Sequence, residues 1–267
     1  MHKNNIFLTL TYAPEHLKSP RLQYSDFQLF MKRLRELHTR DVTDPELKKE
    51  MEISYMVTGE YGEKDKRPHW HAIIFNYSPP DLKFHKMSKC GKHRIFKSAI
   101  IDELWGKNDS KKVPNEIGDV SIDSAGYVAR YAAKKLVHGN DQEHDYHPIH
   151  KTSSKNAIGK KYISANYKQI FRLGFVRIPG SKIKTKIPRY YVDWLKKHQP
   201  EEYKRYVTEL RLELQQAAEK KKREEEIAYL TDLANLPHGY PMPETRNKMS
   251  LTILKQKFKR LQETLKL

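Results

Sequence analysis

The chain has 267 residues, with 51 Lys and Arg against 33 Asp and Glu, for a formal net charge of +18. That length supports one good core with an appendage, or two small domains. The charge points to a polyanionic partner, nucleic acid ahead of an anionic membrane. No apolar run approaches the roughly eighteen residues of a membrane span and no signal-peptide pattern opens the chain, so no membrane association is expected. A single cysteine, Cys90, excludes an internal disulfide framework and suits a reducing cytosol.

In chain order, Asn5 to Tyr12 alternates, with Leu8 and Leu10 on one side and Thr9 and Thr11 on the other, which predicts a half-buried strand. Ser25 is the expected cap of a helix whose apolar stripe is Phe27, Phe30, Met31, Leu34 and Leu37. Ile53 to Thr58 reads as a second strand, running into a turn at Gly59-Glu60-Tyr61-Gly62. The next strand carries Arg67-Pro68-His69-Trp70-His71-Ala72-Ile73-Ile74-Phe75, at a spacing that suits a hairpin with the second. Asn76 to His93 reads as loop, Ser98 to Trp105 as a short helix, and Ile117 to Ile122 as a strand. Asp123 or Ser124 caps a helix from Ala125 to Val137, and Asn140 to Lys161 reads as a loop. Two short strands are expected between Tyr162 and Ile178. The mixture predicts an α+β domain over 1–187, with a central, mainly antiparallel sheet flanked by helices. A helical C-terminal extension over 188–267 follows. It has helices opening at Pro188 and Pro200 and an amphipathic one over 249–265, edged by Leu251, Leu254, Phe258, Leu261 and Leu265.

Two stretches carry chemistry. On a strand, residues two apart share a face, so His69 and His71 lie side by side while Trp70 points away. Paired imidazoles on a rigid strand can grip a divalent metal, and the plain alternative is two surface histidines at a strand end. In the segment Gly126-Tyr127-Val128-Ala129-Arg130-Tyr131-Ala132-Ala133-Lys134-Lys135, Tyr127 and Tyr131 share one helical face bordered by Arg130 and Lys134. Ala129, Ala132, Ala133 and Leu136 form the face expected to pack. A phenol of ordinary pKa near ~10 is a poor nucleophile until cations or a metal assist it. The alternative is an ordinary packing pair.

These motifs together resemble the HUH endonucleases, and in particular the rolling-circle replication initiators of microviruses, which are small single-stranded DNA phages. The matching segments are Phe7-Leu8-Thr9-Leu10-Thr11-Tyr12, then Gly59-Glu60-Tyr61-Gly62 through His71, then Tyr127 to Lys135, in that order. The resemblance implies the family's ferredoxin-like Rep fold. It implies His69 and His71 as metal ligands with Glu60 as a third, holding Mg²⁺ or Mn²⁺, and Tyr127 and Tyr131 as nucleophiles. It further implies DNA contacts from Thr9, Thr11, Arg67, Arg130, Lys134 and Lys135. The activity implied is nicking of single-stranded origin DNA in the cytoplasm of a bacterial host, with host helicase and polymerase as partners. A single-tyrosine relaxase or transposase, and a non-catalytic single-strand binder using basic residues and aromatic rings, are the competing readings. His85, Cys90 and His93, and likewise His144, His147 and His150, lack the paired spacing of structural zinc motifs and are read as incidental.

Overall fold

The computed structural model describes residues 2, 4–62, 66–88, 91, 93–109, 112–121, 124–126, 128–129, 149–177, 182, 184–237, 239 and 244–265, without the side chains of 246, 258 and 261–265. Two compact units form, Met1–Ile158 and Gly159–Glu263.

The first unit is built on seven strands: β1 Asn5–Thr11, β2 Ser54–Tyr61, β3 Pro68–Phe75, β4 Lys83–Met87, β5 Arg94–Lys97, β6 Glu116–Asp119 and β7 Ile149–Thr152. They form one sheet in the order β4-β5-β6-β1-β3-β2-β7, and every neighbouring pair is antiparallel. The expected α+β architecture is therefore present. Along β1 the alternation predicted from sequence holds, with Ile6, Leu8 and Leu10 buried and Phe7, Thr9 and Thr11 only partly so. Helix α1 (Tyr24–Thr39) buries Phe27, Phe30, Met31 and Leu34, the one-sided stripe that a 3.6-residue period demands. These side chains share a core with Leu8, Leu10, Trp70 and Trp105. Short helices α2 (Pro45–Glu50) and α3 (Ala99–Trp105) belong to the same unit. The Ser98 hydroxyl caps α3 by accepting from the Ile101 N–H at 3.2 Å.

Several sequence expectations are corrected. Helix α1 starts at Tyr24 after Gln23, with no side-chain cap, so Ser25 is inside it. Strand β2 continues through the segment expected as a turn, which puts Gly59 and Glu60 in the sheet. The expected loop over Asn76–His93 contains β4, a strand exposed at every residue and therefore without the apolar alternation that marks buried strands. The expected loop over Asn140–Lys161 contains β7, an edge strand of four residues. Lys160–Leu173, read as strands, is helix. Its apolar positions Ile163, Tyr167, Ile170 and Phe171 follow the i, i+4, i+7, i+8 pattern of one helical face.

The second unit is mainly helical. Ile163, Ile170, Phe171 and Leu195 form its buried centre, surrounded by Tyr167, Tyr191, Trp194 and Tyr206. Pro188 precedes the helix Arg189–His198 as its N-cap residue. Pro200–Arg205, a π-helical turn Tyr206–Leu210, and Arg211–Ala234 form one run of helix, whose last segment buries no residue. This matches its Ala, Glu, Lys and Arg composition, which gives it little to bury. The final helix, Arg246–Leu265, leaves Leu251 and Leu254 exposed. No described helix is long and apolar enough to cross a membrane.

Candidate metal centre

Strand alternation builds this site from the core outward. On β3, Trp70 turns inward and is fully buried, so His69 and His71 must turn to the opposite face. Trp70 is held there by its indole N–H, which donates to the Tyr12 hydroxyl at 3.1 Å. That hydroxyl donates in turn to Asp26 Oδ2 at 3.0 Å. Burial pushes the Tyr12 phenol well above its ordinary value, although the bond from Trp70 opposes this, so it remains a neutral donor. Gly59 lies directly opposite Trp70 in the β2–β3 register. A Cβ there would come within 2.6 Å of the indole ring and 2.8 Å of Leu22, so the close approach requires glycine.

One position further along β2, Glu60 lies opposite His69. Its Oε1 is 2.8 Å from His69 Nε2 and 3.1 Å from His71 Nε2. The ligand atoms of Glu60, His69 and His71 all fall within 4.8 Å of one another, and these three form the metal-capable cluster found among the described residues. Burial alone would raise the Glu60 carboxyl, but hydrogen bonds from both imidazoles and their charge outweigh it and hold it at about 2. Burial pushes His71 down, partly offset by its bond to Glu60.

The donor set fits a cation. His69 Nδ1 stands 3.2 Å from the Arg67 carbonyl, which can only accept, so Nδ1 carries a hydrogen. In the neutral ring Nε2 then presents a lone pair towards the Glu60 carboxylate. Two lone pairs facing each other call for a positive charge between them, either a proton or a metal ion. Glu60, His69 and His71 together can hold a metal ion.

The surroundings fix the ligands. Thr9 lies opposite His71, with Oγ1 at 3.0 Å from Nδ1. The Phe7 ring stacks on the His71 ring at 5.9 Å and 6°. Thr11 lies opposite His69, and its hydroxyl is buried with no hydrogen-bond partner among the described residues. The Arg67 guanidinium donates to the Tyr12 carbonyl at 2.6 Å. A cleft of about 390 Å³ opens beside His69, lined by Thr11, Tyr12, Arg67, Pro68 and Lys112 among others.

Of the residues singled out from sequence, the structure thus brings together His69, His71, Glu60, Thr9, Thr11 and Arg67. Tyr127, Tyr131, Arg130, Lys134 and Lys135 lie outside the described residues. In the same segment Val128 is fully buried while Ala129 is exposed, so the packing face expected to include Ala129 is corrected at that position. The hydrogen bond from Thr9 and the stacking of Phe7 were not anticipated. The sequence signal for both was the period-two alternation of β1, which already put Phe7, Thr9 and Thr11 on one side. His150, read as incidental in a loop, lies on β7 opposite Thr58, which is itself opposite His71. Cys90, His144 and His147 lie outside the described residues.

Comparison with known proteins extends this picture. Residues 5–136 match the family model of the replication-associated protein ORF2. The replication-associated protein VP4 of Bdellovibrio phage phiMH2K is 48% identical over 267 residues, covering 100% of this chain and 82% of that protein. The replication-associated protein ORF4 of Chlamydia phage 1 is 31% identical over 206 residues, 73% of this chain and 47% of its own. The replication-associated protein ORF2 of Spiroplasma virus 4 is 32% identical over 221 residues, 78% of this chain and 63% of its own. No solved structure matches. With its full length aligned to one such protein and its metal-capable cluster inside the family-matched segment, the chain belongs to the microvirus-type family of phage replication-associated proteins.

Proposed function

We propose that the protein is a replication initiator that nicks single-stranded DNA at a phage origin by metal-assisted tyrosine transesterification and later rejoins the strand. The observation that carries this reading is the convergence of Glu60, His69 and His71 at one point on the sheet, in a chain of this family. Two imidazoles and a carboxylate would hold Mg²⁺ or Mn²⁺. A divalent ion so held would draw charge from a scissile phosphate.

The cleft beside His69, with Arg67 at its wall, is where the DNA backbone approaches. The hydroxyl oxygen of Tyr127 or Tyr131 attacks phosphorus and loses its proton. The bond from phosphorus to the 3′ oxygen breaks, and that oxygen takes up a proton. The products are a 5′-phosphotyrosine link and a free 3′-hydroxyl, from which a host polymerase extends. A second phenol is useful because the first stays occupied until the 3′-hydroxyl attacks the link and closes the circle. Arg130, Lys134 and Lys135 hold phosphates. The work takes place in the cytoplasm of a bacterial host, with host helicase and polymerase as partners.

The test is covalent capture. Single-stranded origin DNA incubated with protein and Mn²⁺ should yield an adduct on the 5′ side of a cut, detectable by mass spectrometry and abolished by chelation. Tyr127→Phe/Tyr131→Phe should form none. An adduct in that double variant would falsify the nucleophile assignment, and binding without any adduct would leave the protein a non-catalytic single-strand binder.

A further inference from the structure

Strands β4 and β5 form a hairpin at the β4 edge of the sheet, and its composition is one-sided. From Lys83 to Lys97 the sequence carries Lys83, Lys86, Lys89, Lys92, Arg94 and Lys97, with no Asp or Glu. Every residue of β4 is exposed; Phe84 is 57% exposed and Met87 45%. Phe84 lies opposite Phe96, their rings 6.3 Å apart and nearly perpendicular at 84°. The Arg94 guanidinium sits 5.7 Å from the centre of the Phe96 ring.

Two features of this hairpin work against its own stability. Lys83 lies directly opposite Lys97, and like charges at paired positions repel. Lys86 reaches Glu116 at 2.5 Å, but no ion pair engages Lys83, Arg94 or Lys97 among the described residues. A large apolar ring left in water forfeits the gain from burial. Lysines on an edge strand do discourage edge-to-edge pairing. That need does not explain a phenylalanine left more than half exposed between them. A partner that supplies both negative charge and flat apolar faces satisfies both features.

We propose that the β4–β5 hairpin is a binding surface for single-stranded DNA. Bases stack on Phe84, with Phe96 and Arg94 completing the platform, and Lys83 and Lys97 take adjacent phosphates. A duplex hides its base faces in the stack, so a single strand is the occupant that uses the ring. This inference rests on the single-stranded substrate of the function proposed above. The hairpin belongs to the same sheet as the metal centre, with β6 and β1 between β5 and β3. From β4 to β3 is four strand spacings, about 19 Å. A strand gripped at the hairpin is thereby held within reach of the centre.

The test uses the full-length protein in EDTA, with a fluorescent oligothymidylate of about 16 nucleotides read by anisotropy. No origin sequence is present and cutting is blocked, so binding alone is measured. Phe84→Ala should weaken binding about fivefold to a hundredfold, the loss of one base stack. Phe84→Trp keeps an aromatic face and should bind as the parent does. Lys83→Gln with Lys97→Gln should flatten the slope of log affinity against log salt by about 1.4, or ~0.7 for each phosphate released. Circular dichroism spectra matching the parent will establish that each variant is folded. The proposal is overturned if Phe84→Ala and the lysine pair bind as tightly as the parent, or if Phe84→Trp loses as much as Phe84→Ala. A missing tyrosine adduct on origin DNA with metal present, alongside the hairpin effects above, would overturn the nicking function and leave this surface standing.

Discussion

Thr9 stands 3.0 Å from His71 Nδ1, and a hydroxyl can either donate or accept. Without metal, His71 donates through Nε2 to Glu60, so Thr9 donates to the bare Nδ1. With Nε2 given to a metal, Nδ1 carries the hydrogen and Thr9 accepts it. The same side chain therefore supports both forms of the ring, in the way that outer partners of metal-binding histidines set tautomer and orientation. Thr9→Val keeps the shape and loses both bonds. It should lower Mn²⁺ affinity about 10–100-fold, whereas Thr9→Ser should stay near the parent. Titration calorimetry measures this directly, and equal affinity in Thr9→Val would remove Thr9 from the site. At this scale the sequence was informative about the histidines, because a two-residue spacing on a strand decides their facing without any tertiary knowledge. It was less informative about Glu60. Gly59 and Gly62 around it carry a turn signature, and only the Trp70 ring resting against Gly59 explains why one glycine belongs inside a strand.

Among the elements, β3 is the one on which both core and site depend, since it pairs with β1 on one side and β2 on the other. Trp70 anchors it from below, and the ring leaves no room for a Cβ at position 59. Gly59→Ala should therefore cost about 1–3 kcal/mol through overpacking. Trp70→Ala should cost about 3–5 kcal/mol through the cavity it leaves. Chemical denaturation of both variants provides the check, and a change below about 0.5 kcal/mol for Gly59→Ala would mean that the indole yields easily. The elements legible in the sequence were those that bury one side: β1 by alternation, α1 by its stripe. The edge strands β4 and β7 were hidden for the converse reason. Their ladders are closed by backbone bonds to a neighbour, and side chains such as Lys83, His85 and Lys151 record none of that. The helix Lys160–Leu173 was missed because its aromatic and β-branched residues favour strands locally, while their spacing obeys the helical period.

For the whole molecule, a net charge of +18 sets self-repulsion against compactness, and acid adds to it as the 13 histidines protonate. One contribution can be isolated. His38, near the end of α1, lies 5.2 Å from the Tyr77 ring at 86°, and its Nε2 is buried without a partner among the described residues. Burial lowers its pKa from 6.5, although a bond to the Met51 backbone opposes the shift. Folding therefore favours the neutral ring. Its contribution is complete above 6.5 and is lost as pH falls through the lower folded-state value. Melting temperature in EDTA should drop between about pH 7 and about pH 5, and the drop should be smaller in His38→Phe, which keeps the ring contact but has nothing to protonate. Identical drops in the two proteins would rule out that contribution. The placement of Trp70 between His69 and His71 has a further outcome. Cutting can be silenced by a change that touches no polar group, since enlarging Leu22 would press on the indole and tilt the two imidazoles on the far surface. Loss-of-function variants in this family of chains should therefore cluster among oily residues nowhere near DNA, and a genetic screen would mistake them for simple misfolding.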